Sequence, residues 1–586
     1  MAALAALAAF FLATSWRKWT EPLIDFGREL YLPWRLSNGA LLYRDADDFY
    51  GPLSQYFNAC LFRLLGPGLM VLAAANIIIF AAILALVYTL FRRAWGAGAA
   101  LASSAVFVGV FGFSVVHGGN YNFVTPYSHE ATHGFLVCLL VVHALARWLE
   151  RPTAAGAALA GFLFGLTVVL KPEIMLSAAL VSAAAMVVVR RQPRTAAVPQ
   201  AAAWLAAAAL PTLLFWGFFA AHVPLKDAFL FASRAWLNVA ATDRFTGDYV
   251  QSAFLGFDHP WANLVQHLEA TLIAAATIAG LAAAAMLVDR VASAPVRVMA
   301  AAALMAAVVW LGWERILWFH TGRCLLGLVL AYLCCTLSQP ALGPADGKEA
   351  SRRALRLMLG VLAAAMMSRM LLNGRIIQFG FYQAALAAIL LPAAMIGELA
   401  DRLRLGRWGR ATLAAATLGM AATATITVAV QSQENLRRKT NPVGVGVDRF
   451  YSYPRQIDAT GEIVNAVSEK LAELPRGRTL VVLPEGEMIN YLARMPSPVA
   501  PFFFFSAATR GDLEPAIVSE LQKHPPDWVV IISRDLRDYG IERYGRHPGE
   551  GRQILDWASP NYGIVYAIGG DPFEPEQRGA LVLSRQ

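Results

Sequence analysis

Thirteen stretches of this chain are apolar enough and long enough to cross a bilayer, near residues 2–15, 69–91, 95–116, 133–149, 153–170, 174–189, 198–221, 266–288, 297–318, 323–339, 354–372, 379–398 and 411–430. A helix needs about 20 predominantly apolar residues to cover the hydrocarbon core. Only helices and closed barrels satisfy the backbone there, so a chain with this pattern folds as a helical bundle in lipid. Charged residues make up 15% of the 586 residues and mean hydropathy is +0.50, whereas a soluble chain carries about 25% charge. The expected fold class is a polytopic α-helical membrane protein of about 13 transmembrane helices with a C-terminal extracytoplasmic α/β domain. The first stretch has about fourteen apolar residues and no basic flank before it. It reads either as a span or as a signal-peptide h-region, and both readings leave Trp16 onward on the same side of the membrane.

Basic residues set the orientation. Arg92 and Arg93, Arg147 and Arg151, Arg190, Arg191 and Arg194, Arg290 and Arg297, Lys348 with Arg352 and Arg353, and Arg402 to Arg410 fall in alternate short loops. By the positive-inside rule these loops are cytoplasmic. An odd number of spans then puts the loop at 16–57 and the whole tail outside. The net charge of +9 follows from this asymmetry, so it does not argue for a nucleic-acid partner; the partner that it implies is the lipid bilayer. The five cysteines lie in or beside apolar segments, with neither the spacing of a zinc site nor that of a disulfide framework.

The membrane domain is expected over 1–430, a linker over 431–447 and the α/β domain over 448–586. In the tail, helical periodicity at Ile463–Leu474, Glu514–Lys523 and Gln553–Ser559 alternates with strand-like runs at Thr479–Leu483, Asp527–Ser533, Ile564–Ile568 and Ala580–Leu583. That alternation argues for a small layered α/β unit. Phe502 to Phe505 form a run of aromatics that reads as core, as packing of domain on membrane, or as a lipid-facing ledge.

The external loop at 16–57 is long, polar and acid-bearing. Asp25 and Glu29 are spaced i,i+4, one helical turn apart, and Arg35 and Tyr43 follow. A carboxylate at the membrane surface can act as general base or balance charge at a reacting sugar carbon, and a second carboxylate nearby raises its proton affinity. The plainer alternative is a pair of solvated loop carboxylates. Asp45, Asp47 and Asp48 read as a solvated acidic turn.

The run from Asp25 through Tyr31, Gly39, Tyr43-Arg44-Asp45, Gly51-Pro52-Leu53 and Tyr56 to Leu64-Leu65-Gly66 resembles the first external loop of the GT-C glycosyltransferases. More narrowly, it is similar to the branch of protein O-mannosyltransferases and lipid A aminoarabinose transferases. The resemblance implies a polyprenyl-phosphate-linked sugar as donor and an extracytoplasmic glycan, lipid or protein as acceptor. It implies a bacterial inner-membrane enzyme with a periplasmic tail, with Asp25 as the catalytic acidic residue. Phe26 stands where the family has an adjacent acidic residue, which leaves Glu29 as the nearest stand-in, and Tyr50 replaces a basic residue that some relatives carry before the Gly-Pro turn.

A second external loop, 117–132, ends in a formal H-E-x-x-H of His129, Glu130 and His133. On a helix this pattern can hold zinc, which keeps an intramembrane protease as an alternative; the other reading is a substrate cavity whose acid and imidazoles contact sugar or a divalent cation. Lys171 at the outer end of the fifth span, Arg315, His320 and Arg323 between the ninth and tenth, and Arg375 beyond the eleventh are candidate contacts for a donor phosphate. Glu485 ends a strand in Pro484-Glu485-Gly486. No P-loop, G-x-G-x-x-G or nucleophile elbow is present. A lipid-linked polysaccharide polymerase or ligase, and a transporter, remain the alternative functions.

Overall fold

The computed structural model describes the chain apart from residue 1 and residues 117–120, 190–196, 242–251, 253–254, 291–292, 315, 317, 340–346, 375, 377–379, 475–478, 506–512 and 575. Each of the thirteen expected spans falls on a helix. Seven described helices are long and apolar enough to cross a membrane: Leu69–Trp95, His129–Glu150, Val198–Ala220, Pro260–Arg290, Ala294–Trp313, Phe381–Arg402 and Arg407–Arg438. Five shorter apolar helices (Ala2–Ser15, Ala97–Gly112, Ala154–Val168, Pro172–Met186 and Gly322–Leu337) and the more charged Gly347–Met366 account for the rest. Small residues let these helices approach closely where lipid supplies no hydrophobic drive. A Cβ on Gly161 or Gly165 would meet the backbone of the neighbouring helix at 2.1 and 2.3 Å.

The elements that build the site are α1 (Ala2–Ser15), α2 (Phe26–Ser37), α3 (Leu53–Leu65), α4 (Leu69–Trp95), α5 (Ala97–Val106, continued by a π-helical turn Phe107–Gly112), α6 (His129–Glu150), α7 (Ala154–Val168) and α8 (Pro172–Val189). The acid-bearing external loop is therefore largely helical. α3 is inside-out by the standards of a soluble protein. Its polar residues Ser54, Gln55 and Asn58 are buried, while Leu64 and Leu65 are 79% and 68% exposed and Phe57 and Cys60 also face outward. An apolar outer face over a polar inner one is the pattern of a helix that packs against lipid.

The last membrane helix runs on to Arg438, well past the expected end at 430, and the expected linker contains a strand. β1 (Asn441–Val443) pairs antiparallel with β2 (Phe450–Ser452). The main sheet has the order β3-β4-β6-β5, from β3 (Leu480–Leu483), β4 (Trp528–Ile532), β5 (Tyr562–Gly569) and β6 (Gly579–Arg585). β3 and β4 run parallel and the other pairs antiparallel. β4 is buried at every position, as a central strand must be, whereas β5 alternates and forms an edge. Phe504 and Phe505 are in the domain core, and Phe502 and Phe503 pack on Phe49 of the external loop. The aromatic run thus joins the domain to the membrane part and does not form a lipid-facing ledge.

Candidate active site

Asp25 immediately precedes α2 with φ 29° and ψ −79°, a backbone conformation that strains a residue with a Cβ; such strain gathers at functional sites. Its half-buried carboxylate makes no hydrogen bond among the described residues. Burial, opposed by Arg28 and reinforced by Glu485, pushes the carboxyl up to about 6 from 3.8. A base that is free of partners and poised near neutrality is suited to proton abstraction.

One turn on, Glu29 is fully committed. Its Oε2 accepts from the His129 backbone N–H at 3.0 Å and faces His129 Nδ1 at 2.5 Å, and its Oε1 accepts from Arg28 at 3.2 Å. Burial works to raise this carboxyl, but His129 and Arg28 outweigh it and hold it below the usual carboxylate range. His129 Nε2 meets Asn76 Nδ2 at 3.0 Å, and Asn76 Nδ2 also donates to Val124 O. That arrangement fits a proton on Nδ1 and leaves neither ring nitrogen open to a metal. Glu130 accepts from Gln55 and Ser128 at 3.2 and 2.7 Å, and His133 Nδ1 meets Ser54 Oγ at 3.0 Å. His129, Glu130 and His133 Nδ1 thus pin α6 to α2 and α3, while His133 Nε2 has no hydrogen-bond partner among the described residues. Among the described residues no group of three or more His, Cys, Asp or Glu side chains is placed to bind a metal ion.

From Arg28 a chain of cations and aromatic rings leads into the membrane domain. Arg28 lies 5.7 Å from the Tyr50 ring and 5.6 Å from that of Phe502, donates to Tyr127 O at 3.3 Å, and leaves its buried Nε without a partner. Lys171 Nζ sits 3.7 Å from the Tyr50 ring centre and 4.7 Å from that of Tyr127, and bonds Tyr127 Oη at 3.2 Å. Lys171 is 1% exposed, so it does not snorkel; cation–π contacts hold its charge. Beyond it lies a small cleft lined by Tyr127, Lys171, Glu173, Met366, Tyr382 and Gln383, with Glu173 paired to Arg369 at 2.7 Å. Gly51 places this chain of residues: its N–H donates to Leu170 O at 2.7 Å, and a Cβ there would meet Val169 O at 2.2 Å.

No protein-family model matches the sequence, and no curated protein matches it either. Solved structures do. The crystal structure of the Archaeoglobus fulgidus oligosaccharyltransferase in complex with Zn and sulfate superposes over 90% of this chain and 67% of its own, with 15% identity and a TM-score of 0.50. The archaeal oligosaccharyltransferase AglB of that organism, in complex with an inhibitory peptide and a dolichol-phosphate, covers 97% of this chain and 72% of its own, with 13% identity and a TM-score of 0.50. ArnT from Cupriavidus metallidurans bound to undecaprenyl phosphate aligns over 99% of this chain and 98% of its own, with 13% identity and a TM-score of 0.43. The chain shares the fold of these oligosaccharyltransferase structures.

Within this fold, Asp25, Glu29, His129, Glu130, His133 and Lys171 gather around the base of α2 and α6. Arg35 lies farther along α2, spent on Tyr31 Oη and the Ser497 carbonyl at 2.7 and 2.9 Å. The Tyr43 hydroxyl donates to Tyr50 O at 2.6 Å, and its ring packs on Phe219 and Phe231. His320 is exposed on a 3-10 turn, and Arg323 is half-buried at the start of Gly322–Leu337. Arg315 and Arg375, with the first part of the second external loop, lie outside the described residues.

The acidic turn divides three ways. Asp45 pairs with Arg44 at 2.7 Å and Asp47 with Arg234 at 2.9 Å, whereas Asp48 is fully buried. Burial and the neighbouring Glu130 push the Asp48 carboxyl well above its ordinary value. Among the described residues, Asp48 Oδ2, Gln55 Oε1, Asn58 Nδ2 and His133 Nε2 are buried without hydrogen-bond partners, a concentration of polar atoms at α3 that suits a hydroxyl-rich ligand or ordered water. Arg28 and Tyr127 carry no motif in the sequence; the i,i+3 spacing of Arg28 from Asp25 is the signal that could have found the first of them.

Proposed function

We propose that the protein is an inverting membrane glycosyltransferase that moves a sugar from a polyprenyl-phosphate donor to an extracytoplasmic acceptor, with Asp25 as general base. The observation that carries this reading is the unbonded Asp25 carboxylate at the head of a cationic, aromatic-lined path into the membrane domain. The match to AglB, whose structure holds a dolichol-phosphate, supports a lipid-phosphate donor.

Asp25 takes the proton from the acceptor hydroxyl or amine as that group attacks the sugar carbon, and the bond from that carbon to the phosphate oxygen breaks on the opposite face. The leaving group is already an anion, so the main task is to stabilise its charge. Lys171, and Arg28 through its unpaired Nε, are the groups that take this role. Glu29 and His129 hold the helix ends in place. The buried polar atoms at α3 suit sugar hydroxyls.

Mass spectrometry of polyprenyl-phosphate sugars in membranes that express the wild type or Asp25→Asn tests the reading. One lipid-linked sugar should be consumed by the wild type and accumulate with the variant; a pool unchanged in both sinks the proposal.

A further inference from the structure

The turn after β3 and the start of the helix Glu487–Ala493 pack closely on the residues around Asp25. A Cβ on Gly486 would lie 2.9 Å from Leu23 Cδ1, and one on Gly27 would lie 2.4 Å from the Met488 backbone nitrogen. Asp25 sits in sequence between these two contacts, so the extracytoplasmic domain touches the chain on both sides of it. In that turn stands Glu485, 4% exposed, whose Oε1 accepts from Arg534 Nε at 2.6 Å. Arg534 also donates through one terminal nitrogen to the Asp535 carbonyl at 2.7 Å. The pair joins the ends of two parallel strands, β3 and β4, at the edge of the site.

We propose that Glu485 and Arg534 are positioning residues of the catalytic centre, and that the extracytoplasmic domain sets the charge state of Asp25 through this ion pair. The proposal rests on the reading of Asp25 as the base. Arg28 and Glu29 from α2 and Glu21 from the lead-in face the same carboxyl. Glu487 and Tyr539 from the domain, and Tyr382 from the membrane part, complete the surroundings. Of the groups supplied by the domain, Glu485 raises the proton affinity of Asp25 most, and Arg534 lowers it. The two charges pull in opposite directions, so their removal must have opposite effects, which a merely structural tie between domains would not produce.

The test is the pH dependence of consumption of the endogenous polyprenyl-phosphate sugar in membranes that carry the full-length protein. Glu485→Gln should move the acid limb to lower pH and Arg534→Met to higher pH, each by at least about 0.5 unit. Arg534→Lys and Glu485→Asp, which keep the charges, should hold the wild-type limb. A limb that stays put, or moves the same way in both neutralising variants, overturns the proposal. If the wild type consumes no lipid-linked sugar, the functional reading falls, but a thermal double-mutant cycle in detergent still decides this one. The effects of Asp25→Asn and Glu485→Gln on Tm should be non-additive at about pH 7.5 and should approach additivity at about pH 4.5, where Asp25 holds its proton. Additivity at both overturns the proposal.

Discussion

At the residue scale, Asp25 and Glu29 share an acidic side chain and little else. Loss of Asp25 should abolish chemistry and spare the fold: Asp25→Asn is expected to lower the transfer rate by about 10²–10⁴-fold, measured on the lipid-linked pool. The effect on stability has a definite sign. The folded carboxyl sits at about 6 against 3.8, so the fold holds this proton more tightly than the unfolded chain does. The resulting stabilisation is complete below about pH 4 and lost as pH rises through about 6. Across that window the Tm of the wild type should fall relative to Asp25→Asn. Glu29→Gln should do the reverse of a catalytic change, because it leaves Arg28 without its carboxylate and α6 untied; a buried pair broken on one side costs about 3–5 kcal/mol, read as a lowered Tm. The i,i+4 spacing made both acids visible in the sequence, but it could not say that one is free and the other saturated. That difference is made by His129, 100 residues away.

At the scale of elements, the spans were legible because hydropathy is a property of long windows, and the central strands of the tail because each is a short, local run of apolar residues. The helices within the external loop were not. α3 inverts the usual pattern, and its polar inner face made it look like loop. Its outward side should therefore meet lipid. Single cysteines in place of Phe57 or Leu64, spin-labelled in nanodiscs, should be reached by oxygen in preference to a water-soluble relaxant, while Asn38, at the end of α2, should show the opposite; equal access to the aqueous reagent at all three sites refutes this placement. The Gly51-Pro52-Leu53 turn was legible as a motif but not as a contact. Its glycine is the point where the loop indexes onto the end of α7, so Gly51→Ala should drive Val169 away and displace Tyr50 from Lys171. The expected readout is a lower Tm together with slower transfer.

At the scale of the whole molecule, charge asymmetry in the loops gives an orientation that a tag can check. Protease treatment of intact spheroplasts should remove a C-terminal tag; protection of the tag would put the loop acid on the wrong side. The placement of the domain on the loop was beyond sequence reasoning, since nothing local in Gly27 or Gly486 announces a partner so far away.

That distance has a temporal side. The Tyr31 hydroxyl accepts from Ser497 N–H across 466 residues, and Gly27 rests on Met488. A ribosome makes the acid-bearing loop long before the surface that seats it, which follows the helix Arg407–Arg438 in the chain. A nascent chain cut short anywhere between the loop and the tail would hold the acid-bearing loop without the surface that seats it.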